Sequence, residues 1–140
     1  MKTNMKAVWN GGIQGKGTLK AEHLETNIAV PESKGGSGDG ANPSELLVSS
    51  ATTCYIATLT FMLETRKIPV IELTVNSEAT ISDEGFTITH YPQIVLSTNA
   101  KEEQVQSAQR ESFFEISNIF LNIGILYMAS TGLFISIKGK

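Results

Sequence analysis

The chain has 140 residues, 41% of them hydrophobic and 18% charged, and this size and composition suit one domain that folds around its own core. A net charge of -3 with scattered Lys and Arg argues against nucleic acid as a partner. A single cysteine indicates a reducing compartment. The start "MKTNMKAVWNGG" has no apolar signal-peptide core, and the apolar runs are shorter than the ~20 residues of a membrane helix. We therefore predict a single domain, 1–140, in a soluble cytoplasmic protein without membrane contact.

Three short antiparallel strands are predicted between Met5 and Val30. The segments "MKAVWN", "GKGTLKA" and "TNIAV" alternate between apolar and polar residues, and "NGG" marks the first turn. The next segment, "PESKGGSGDGAN", is rich in Gly, Ser and Pro. It predicts a flexible, unpacked loop inside the domain.

A helix with a clear start follows that loop. Asn42 is a suitable N-cap, Pro43 takes the first helical position and Glu45 lies at N3, which together predict a capping box. The helix is expected to end near Arg66 and Lys67, before Pro69. Apolar and small residues recur at spacings of three and four, which predicts a largely buried helix. These residues are Leu47, Ala51, Cys54, Thr58 and Met62, widened by Leu46, Tyr55 and Leu59.

The second half of the chain predicts a hairpin, a second helix and a final strand or hairpin. "VIELTVNSEATI" and "FTITHYPQIVLST" alternate and are joined at "SDEG". Lys101 to Asn122 has helical spacing, and "ILYMASTGLFISIKGK" ends the chain. Strands in hairpin-linked runs predict an α+β fold with antiparallel sheets. Two apolar helices exceed what one small sheet covers, so we predict a homodimer.

Cys54 has two interpretations on residue type alone. A free cysteine often only fills space in a core, whereas a nucleophile needs a nearby cation or another source of thiolate stabilisation. Glu45 precedes it by nine residues, which places the two side chains on opposite faces of a straight helix and ~13 Å apart along its axis. The N3 capping role explains Glu45 without catalysis.

Other candidate sites are weak. "GGSGDG" precedes a helix but lacks the Lys-Ser/Thr of a P-loop and the spacing of a dinucleotide fingerprint. His23 and His90 have no Cys or acidic partner at metal-ligand spacing, and no GxSxG elbow is present. We expect no metal and no cofactor.

Three segments together give a family resemblance. "AVWNGGIQGKGTL", "ESKGGSGDGANPSELLVSSATTCYIATLTFML" and "QSAQRESFFEISNIFLN" occur in the order in which they resemble the OsmC/Ohr proteins, named for osmotic induction and organic hydroperoxide resistance. The resemblance implies an OsmC-like fold in which two central helices pack back to back in an intertwined homodimer. It also implies a peroxidase active in oxidative-stress defence, with Cys54 at the position of the attacking cysteine. Glu45 matches a branch of the family with P-x-E-L-L, whereas in the hydroperoxide-resistance branch the glutamate directly follows N-P, a position that Ser44 takes here.

The same resemblance shows two departures. Phe114 stands where the family has its second, resolving cysteine, and "GGIQGKG" has no arginine, with Lys16 the nearest cation. Lys cannot replace the bidentate guanidinium. Two functions remain open. The first is one-cysteine reduction of organic hydroperoxides, with an external dithiol, lipoyl or thioredoxin-like in nature, as reductant. The alternative is a non-catalytic OsmC-like protein that binds an apolar small molecule in a pocket at the dimer interface.

Overall fold

The computed structural model describes residues 2–83, 85–112, 126–130 and 134–138. The chain divides into two compact units, Met1–Leu47 and Val48–Lys140, which we call the first and second unit. Helix α1 (Pro43–Thr65) begins in the first unit and continues into the second. The remaining residues, including Phe114, lie outside the described part of the chain, so the prediction made for Phe114 does as well.

The first unit contains the predicted three-stranded antiparallel sheet. Strands β1 (Lys6–Asn10), β2 (Lys16–Lys20) and β3 (Glu25–Ala29) pair in that order. Gly11 has a φ of 89° in the turn after β1, a conformation that glycine adopts without steric cost. The three predicted strands are therefore confirmed.

The Gly-rich segment after β3 is packed, and the prediction of an unpacked loop is wrong. It opens with a 3-10 helix, Glu32–Lys34, and the amides of Gly36 and Gly38 donate to the carbonyls of Pro31 and Val30 at 3.1 and 3.0 Å. Gly36 is buried, and a Cβ there would lie 2.0 Å from the Val30 oxygen. The glycines thus let two backbone segments approach closely, a use that composition alone does not distinguish from flexibility.

Helix α1 starts with the predicted capping box. The Asn42 amide donates to Glu45 Oε2 at 2.8 Å, and the Glu45 amide donates to Asn42 Oδ1 at 3.0 Å. The helix ends at Thr65, close to the predicted end, and Lys67 then has a φ of 55°. Both ends were predictable because capping depends on residues adjacent in sequence.

The prediction that α1 is largely buried is wrong for the described chain. Its fully buried residues are Ala51, Tyr55, Leu59 and Leu63, which form one stripe at a spacing of four. Phe61 is 69% exposed. The helix is apolar on more than the one side that the described chain covers, and α1 also has the length and composition of a membrane span. Its buried stripe is typical of the core helix of a globular unit.

The second unit is built on a long hairpin. Strands β4 (Val70–Ser82) and β5 (Gly85–Ser97) pair antiparallel, which confirms the predicted hairpin. Helix α2 is described over Glu102–Ser112, and the rest of the helix predicted to Asn122 lies outside the described residues.

The final segment forms two strands, β6 (Leu126–Ser130) and β7 (Phe134–Lys138), and each pairs in parallel with β5. They therefore differ from a hairpin, in which the two strands would pair with each other. Parallel pairing is compatible with a crossover connection, because β5 and β6 are separated by a segment that includes α2. The α+β class is confirmed.

The core of the second unit joins α1, β5 and α2. Among the residues whose burial the structure describes, nine buried hydrophobic residues form it: Ala51, Tyr55, Leu59, Leu63, Ile68, Ile88, Ile94, Leu96 and Ala108. On β5 these residues alternate with less buried ones, as expected for a strand with one face on a helix layer.

Candidate functional site

Cys54 lies in the second unit, near the middle of α1. It is a free cysteine of intermediate exposure, and it packs against the apolar core. Partial exposure is what a nucleophile requires, since a fully buried packing cysteine could not meet a substrate. Cys54 is therefore partly accessible from solvent and also in contact with the apolar core.

A hydrogen-bonded chain connects the α1 turn beside Cys54 to the hairpin. Thr52 Oγ1 is 2.8 Å from the Val48 carbonyl oxygen and 2.7 Å from Ser77 Oγ. Ser77 Oγ is in turn 2.7 Å from His90 Nδ1. Each hydroxyl supplies one hydrogen, so the three bonds form together only when His90 Nδ1 carries a hydrogen and donates to Ser77. The chain then runs from His90 through Ser77 and Thr52 to Val48.

The opposite nitrogen of His90, Nε2, is buried and has no hydrogen-bond partner within the part of the chain that the structure describes. In the tautomer that carries its hydrogen on Nδ1, Nε2 has no hydrogen and can only accept a hydrogen bond. His90 is 1% exposed, and its burial lowers the pKa of the imidazole from the ordinary 6.5. His90 is consequently neutral at neutral pH.

His90 and Tyr55 hold the α1 turn that carries Cys54. The Tyr55 ring, on the residue after Cys54, stacks on the His90 ring with centroids 4.6 Å apart. The Tyr55 hydroxyl donates to the Ser112 carbonyl at 2.6 Å. Together with the Thr52–Ser77 bond, these contacts join the turn on both sides of Cys54 to β4, β5 and α2, which orients the cysteine.

Sequence reasoning considered His90 only as a metal ligand or as part of a Ser-His-Asp arrangement, and it missed this cluster. A signal was present, because the "SDEG" turn pairs Ser82 with Gly85 and therefore places Ser77 opposite His90. Residues directly opposite on an antiparallel pair have side chains on the same face. The side-chain bond between them follows from that register.

An open cleft adjoins the same cluster between α1 and β4. It has a volume of about 400 Å³, and Ser49, Thr52, Thr53, Asn76 and Ser77 contribute its polar lining. Cys54 is not among its lining residues. The hydroxyl oxygens there can accept hydrogen bonds from a small polar molecule, and the Asn76 amide can donate to one.

Glu45, the second predicted site residue, lies in the first unit, where it is exposed. Its carboxylate accepts the Asn42 amide in the capping box described above. Lys16, the cation nearest to the missing arginine in the sequence, is exposed on β2 in the first unit, and Arg110 is exposed on α2 in the second. The cap is established, and a catalytic role for Glu45 stays a prediction.

Comparison with known proteins assigns the chain to a family. A family model described as "OsmC-like protein" matches residues 36–118, which is more than half of the chain. The chain belongs to the OsmC-like protein family. The matched range of this OsmC-like chain includes both Glu45 and Cys54.

The chain also resembles a curated protein. The Bacillus subtilis protein YmaD, described as uncharacterized, is 36% identical over 111 residues, which cover 76% of the OsmC-like chain and 74% of YmaD. This relative adds no activity.

Solved structures share the fold at low sequence identity. An OsmC-like protein from Mycoplasma pneumoniae has a TM-score of 0.69 at 17% identity, covering 97% of this chain and 98% of its own. An organic hydroperoxide resistance protein from Elizabethkingia anophelis has a TM-score of 0.55 at 21% identity, with 99% of each chain covered. At these identities the comparison shows the OsmC-like fold.

Proposed function

We propose that this OsmC-like protein reduces organic hydroperoxides through Cys54 in defence against oxidative stress. The observation that carries the proposal is the position of Cys54, the chain's single cysteine, which lies partly exposed on α1 within the family match. The name of the Elizabethkingia anophelis structure, an organic hydroperoxide resistance protein, supports this chemistry. The apolar contacts of Cys54 suit the organic group of such a peroxide.

The proposed reaction needs one cysteine and an external reductant. The Cys54 thiolate attacks one oxygen of the hydroperoxide, the O–O bond breaks, and the leaving alkoxide takes a proton to become an alcohol. Cys54 becomes a sulfenic acid. A dithiol, lipoyl or thioredoxin-like in nature, then condenses with it, releases water, and leaves as a disulfide when its second thiol frees Cys54. Because the chain has one cysteine, both resolving thiols come from the reductant.

We further propose that the protein acts in the cytoplasm as a homodimer of single 1–140 domains. A reducing compartment keeps Cys54 a thiol between turnovers. The exposed apolar residues of α1, such as Phe61, support association with a second copy. Glu45 is proposed as a second residue of the site, because it matches the P-x-E-L-L branch of the family.

The test is peroxide consumption by the purified protein. With dithiothreitol present, the wild type should consume cumene hydroperoxide, and Cys54→Ser should fall to the background rate. One equivalent of hydroperoxide without reductant should add one oxygen to the intact mass, and dimedone should trap it on Cys54. Thr53→Ser, a conservative change beside Cys54, is the matched control and should keep the wild-type rate.

Equal rates for the wild type and Cys54→Ser, or no oxygen added to the protein, would contradict the proposal. That outcome would favour the alternative function, in which an apolar small molecule binds without chemistry. A Cys54 reaction with iodoacetamide no faster than that of a free thiol would point the same way.

A further inference from the structure

The first unit contains an apolar cleft, and Cys54 is not among the residues that line it. Trp9, Gly17 and Ile28 lie opposite one another on β1, β2 and β3, so they share one face of the sheet. Gly17 is buried, and a Cβ there would lie 3.0 Å from the Trp9 ring and 3.2 Å from Ile28, so the glycine lets these two side chains approach each other closely. Trp9 is still 41% exposed, so part of this apolar pair faces solvent.

Both side chains line a cavity of about 430 Å³, which we call the Trp9 cleft. Its apolar lining comes mainly from Trp9, Ile28, Val30, Pro31 and Pro43. The volume lies in the range of small-molecule sites, and a mostly apolar lining is typical of them. The Trp9 indole N–H donates to the carbonyls of Gly11 and Gly12 at 3.1 and 3.2 Å, which holds the ring in place before any ligand arrives.

Lys34 is the only charged side chain among the described residues that line the Trp9 cleft. It is exposed, and it follows Pro31 on the short 3-10 helix. An apolar cleft with one cation at its rim is complementary to a molecule with an apolar tail and one negative head. A neutral hydrocarbon would leave the ammonium group unused, and a small anion would leave the cleft empty.

We propose that the Trp9 cleft binds an alkyl carboxylate, a medium-chain fatty acid in chemical class. The tail lies against Trp9 and Ile28, and the carboxylate lies beside Lys34. This inference is independent of the proposed peroxidase, because Cys54 takes no part in it.

Tryptophan emission can report whether the Trp9 cleft is occupied. Trp9 is the single tryptophan, so a tail in the cleft shifts the whole tryptophan emission of the protein. We therefore propose titrating the Cys54→Ser protein with octanoate below its micelle concentration and following Trp9 emission, with calorimetry as a second readout. The emission should shift to shorter wavelength and saturate. Hexanoate and butanoate should bind progressively more weakly, by up to about fourfold for each methylene removed.

The role of Lys34 is tested with a matched pair of variants. Lys34→Gln should weaken octanoate binding by about two- to fivefold at low salt, as expected for an exposed ion pair, and should leave octanol binding unchanged. Lys20→Gln removes the same charge from the first unit, at a residue that pairs with Glu25 at 3.0 Å, and should leave both affinities unchanged. The effect of Lys34→Gln should largely disappear in 1 M salt.

Three results would overturn the proposal. The absence of both a saturable emission change and binding heat would contradict ligand binding in the Trp9 cleft. Occupation of the cleft by a second copy of the chain would contradict it as well. Equal effects of Lys34→Gln and Lys20→Gln on octanoate affinity would contradict a contact between the carboxylate and Lys34. Because all titrations use Cys54→Ser, none of these results bears on peroxide consumption, and failure of the peroxidase leaves this binding intact.

Discussion

His90 makes the stability of the protein depend on pH at the scale of a single residue. Burial lowers the pKa of His90 in the folded chain, whereas an unfolded chain keeps the ordinary value of 6.5. Below pH 6.5 the unfolded state therefore binds a proton at His90 that the folded state does not bind. Stability is fully present above that pH and decreases as the pH falls toward the folded pKa.

We expect the free energy of unfolding in urea to fall between pH 7 and pH 5, because protonation would place a charge at buried Nε2. His90→Gln should lower stability at pH 7 and flatten this dependence. His23→Gln is the matched control, because the His23 side chain is 89% exposed, and it should keep the wild-type dependence. An unchanged pH dependence in His90→Gln would show that other groups cause it.

Glu45 permits a test that separates its cap from a catalytic role. Glu45→Gln keeps a side-chain oxygen that can accept the Asn42 amide, because Gln is also suitable at N3 of a capping box, but it removes the negative charge. If the carboxylate takes part in the reaction, kcat for hydroperoxide should fall about tenfold or more while Tm stays within about 2 °C. Glu45→Ala should lower Tm as well. An unchanged kcat in Glu45→Gln would mean that the only role of Glu45 is in the capping box.

At the scale of elements, three contacts among the described residues join α1 and the two residues after it to α2 within the second unit. Arg66 Nε is 2.6 Å from Glu111 Oε1, Gln104 Nε2 donates to the Lys67 carbonyl at 2.9 Å, and Tyr55 contacts the Ser112 carbonyl. The Glu111 side chain is 8% exposed and that of Arg66 is 52% exposed. The carboxylate is thus the buried partner, and it depends on Arg66 for compensation.

Arg66→Met should destabilise the protein by about 1–2 kcal/mol, less than for a fully buried pair because the guanidinium is half in solvent. Glu111→Gln should partly restore stability in the Arg66→Met background, since it removes the unpaired charge. Urea unfolding of the two single variants and the double variant gives the coupling energy. Strict additivity of the two effects would contradict a direct pair.

Tyr55→Phe tests the link between the Cys54 turn and α2. The change deletes the hydroxyl that donates to the Ser112 carbonyl, and the loss of this buried bond should cost about 1–2 kcal/mol of unfolding free energy. The ring that stacks on His90 is retained. Tyr91→Phe serves as the control, because the Tyr91 hydroxyl bonds an exposed carboxylate, Glu78 Oε2, at 3.2 Å, and it should cost less.

The elements that sequence predicted well depend on neighbours in the chain. The Asn42 cap, the β4–β5 hairpin and the strands of the first unit are set by local spacing and turn chemistry. The parallel pairing of β6 and β7 with β5 depends on contacts between distant segments, and periodicity carries no information about them. For the same reason the pattern identified Cys54 as a candidate while missing the Thr52–Ser77–His90 cluster beside it.

At the scale of the whole molecule, the proposed single domain can be tested by cooperativity. The chain divides into the first and second units, and α1 continues from one into the other. If the chain is one domain, near- and far-ultraviolet circular dichroism should report one common unfolding transition, and Trp9 emission from the first unit should follow the same curve. Two separated transitions would mean that the units unfold independently.

The proposed homodimer follows from what the described chain leaves uncovered on α1. The helix is apolar enough to be a membrane span by composition, yet its buried stripe has four residues and Phe61 is 69% exposed. A helix that is apolar on several sides is normally covered on several sides. Light scattering should therefore give twice the 15.1 kDa chain mass, and the unfolding midpoint should rise with protein concentration.

Phe61→Asp should shift this equilibrium toward the monomer, because association would bury an unpaired charge. Thr80→Asp adds the same charge at an exposed position of β4 and is the control for charge alone. The wild type and Thr80→Asp should keep the dimer mass at micromolar concentration, whereas Phe61→Asp should approach the chain mass on dilution. A wild type that stays at the chain mass across that range, or a Phe61→Asp variant with wild-type mass, would place the proposed interface elsewhere or remove it.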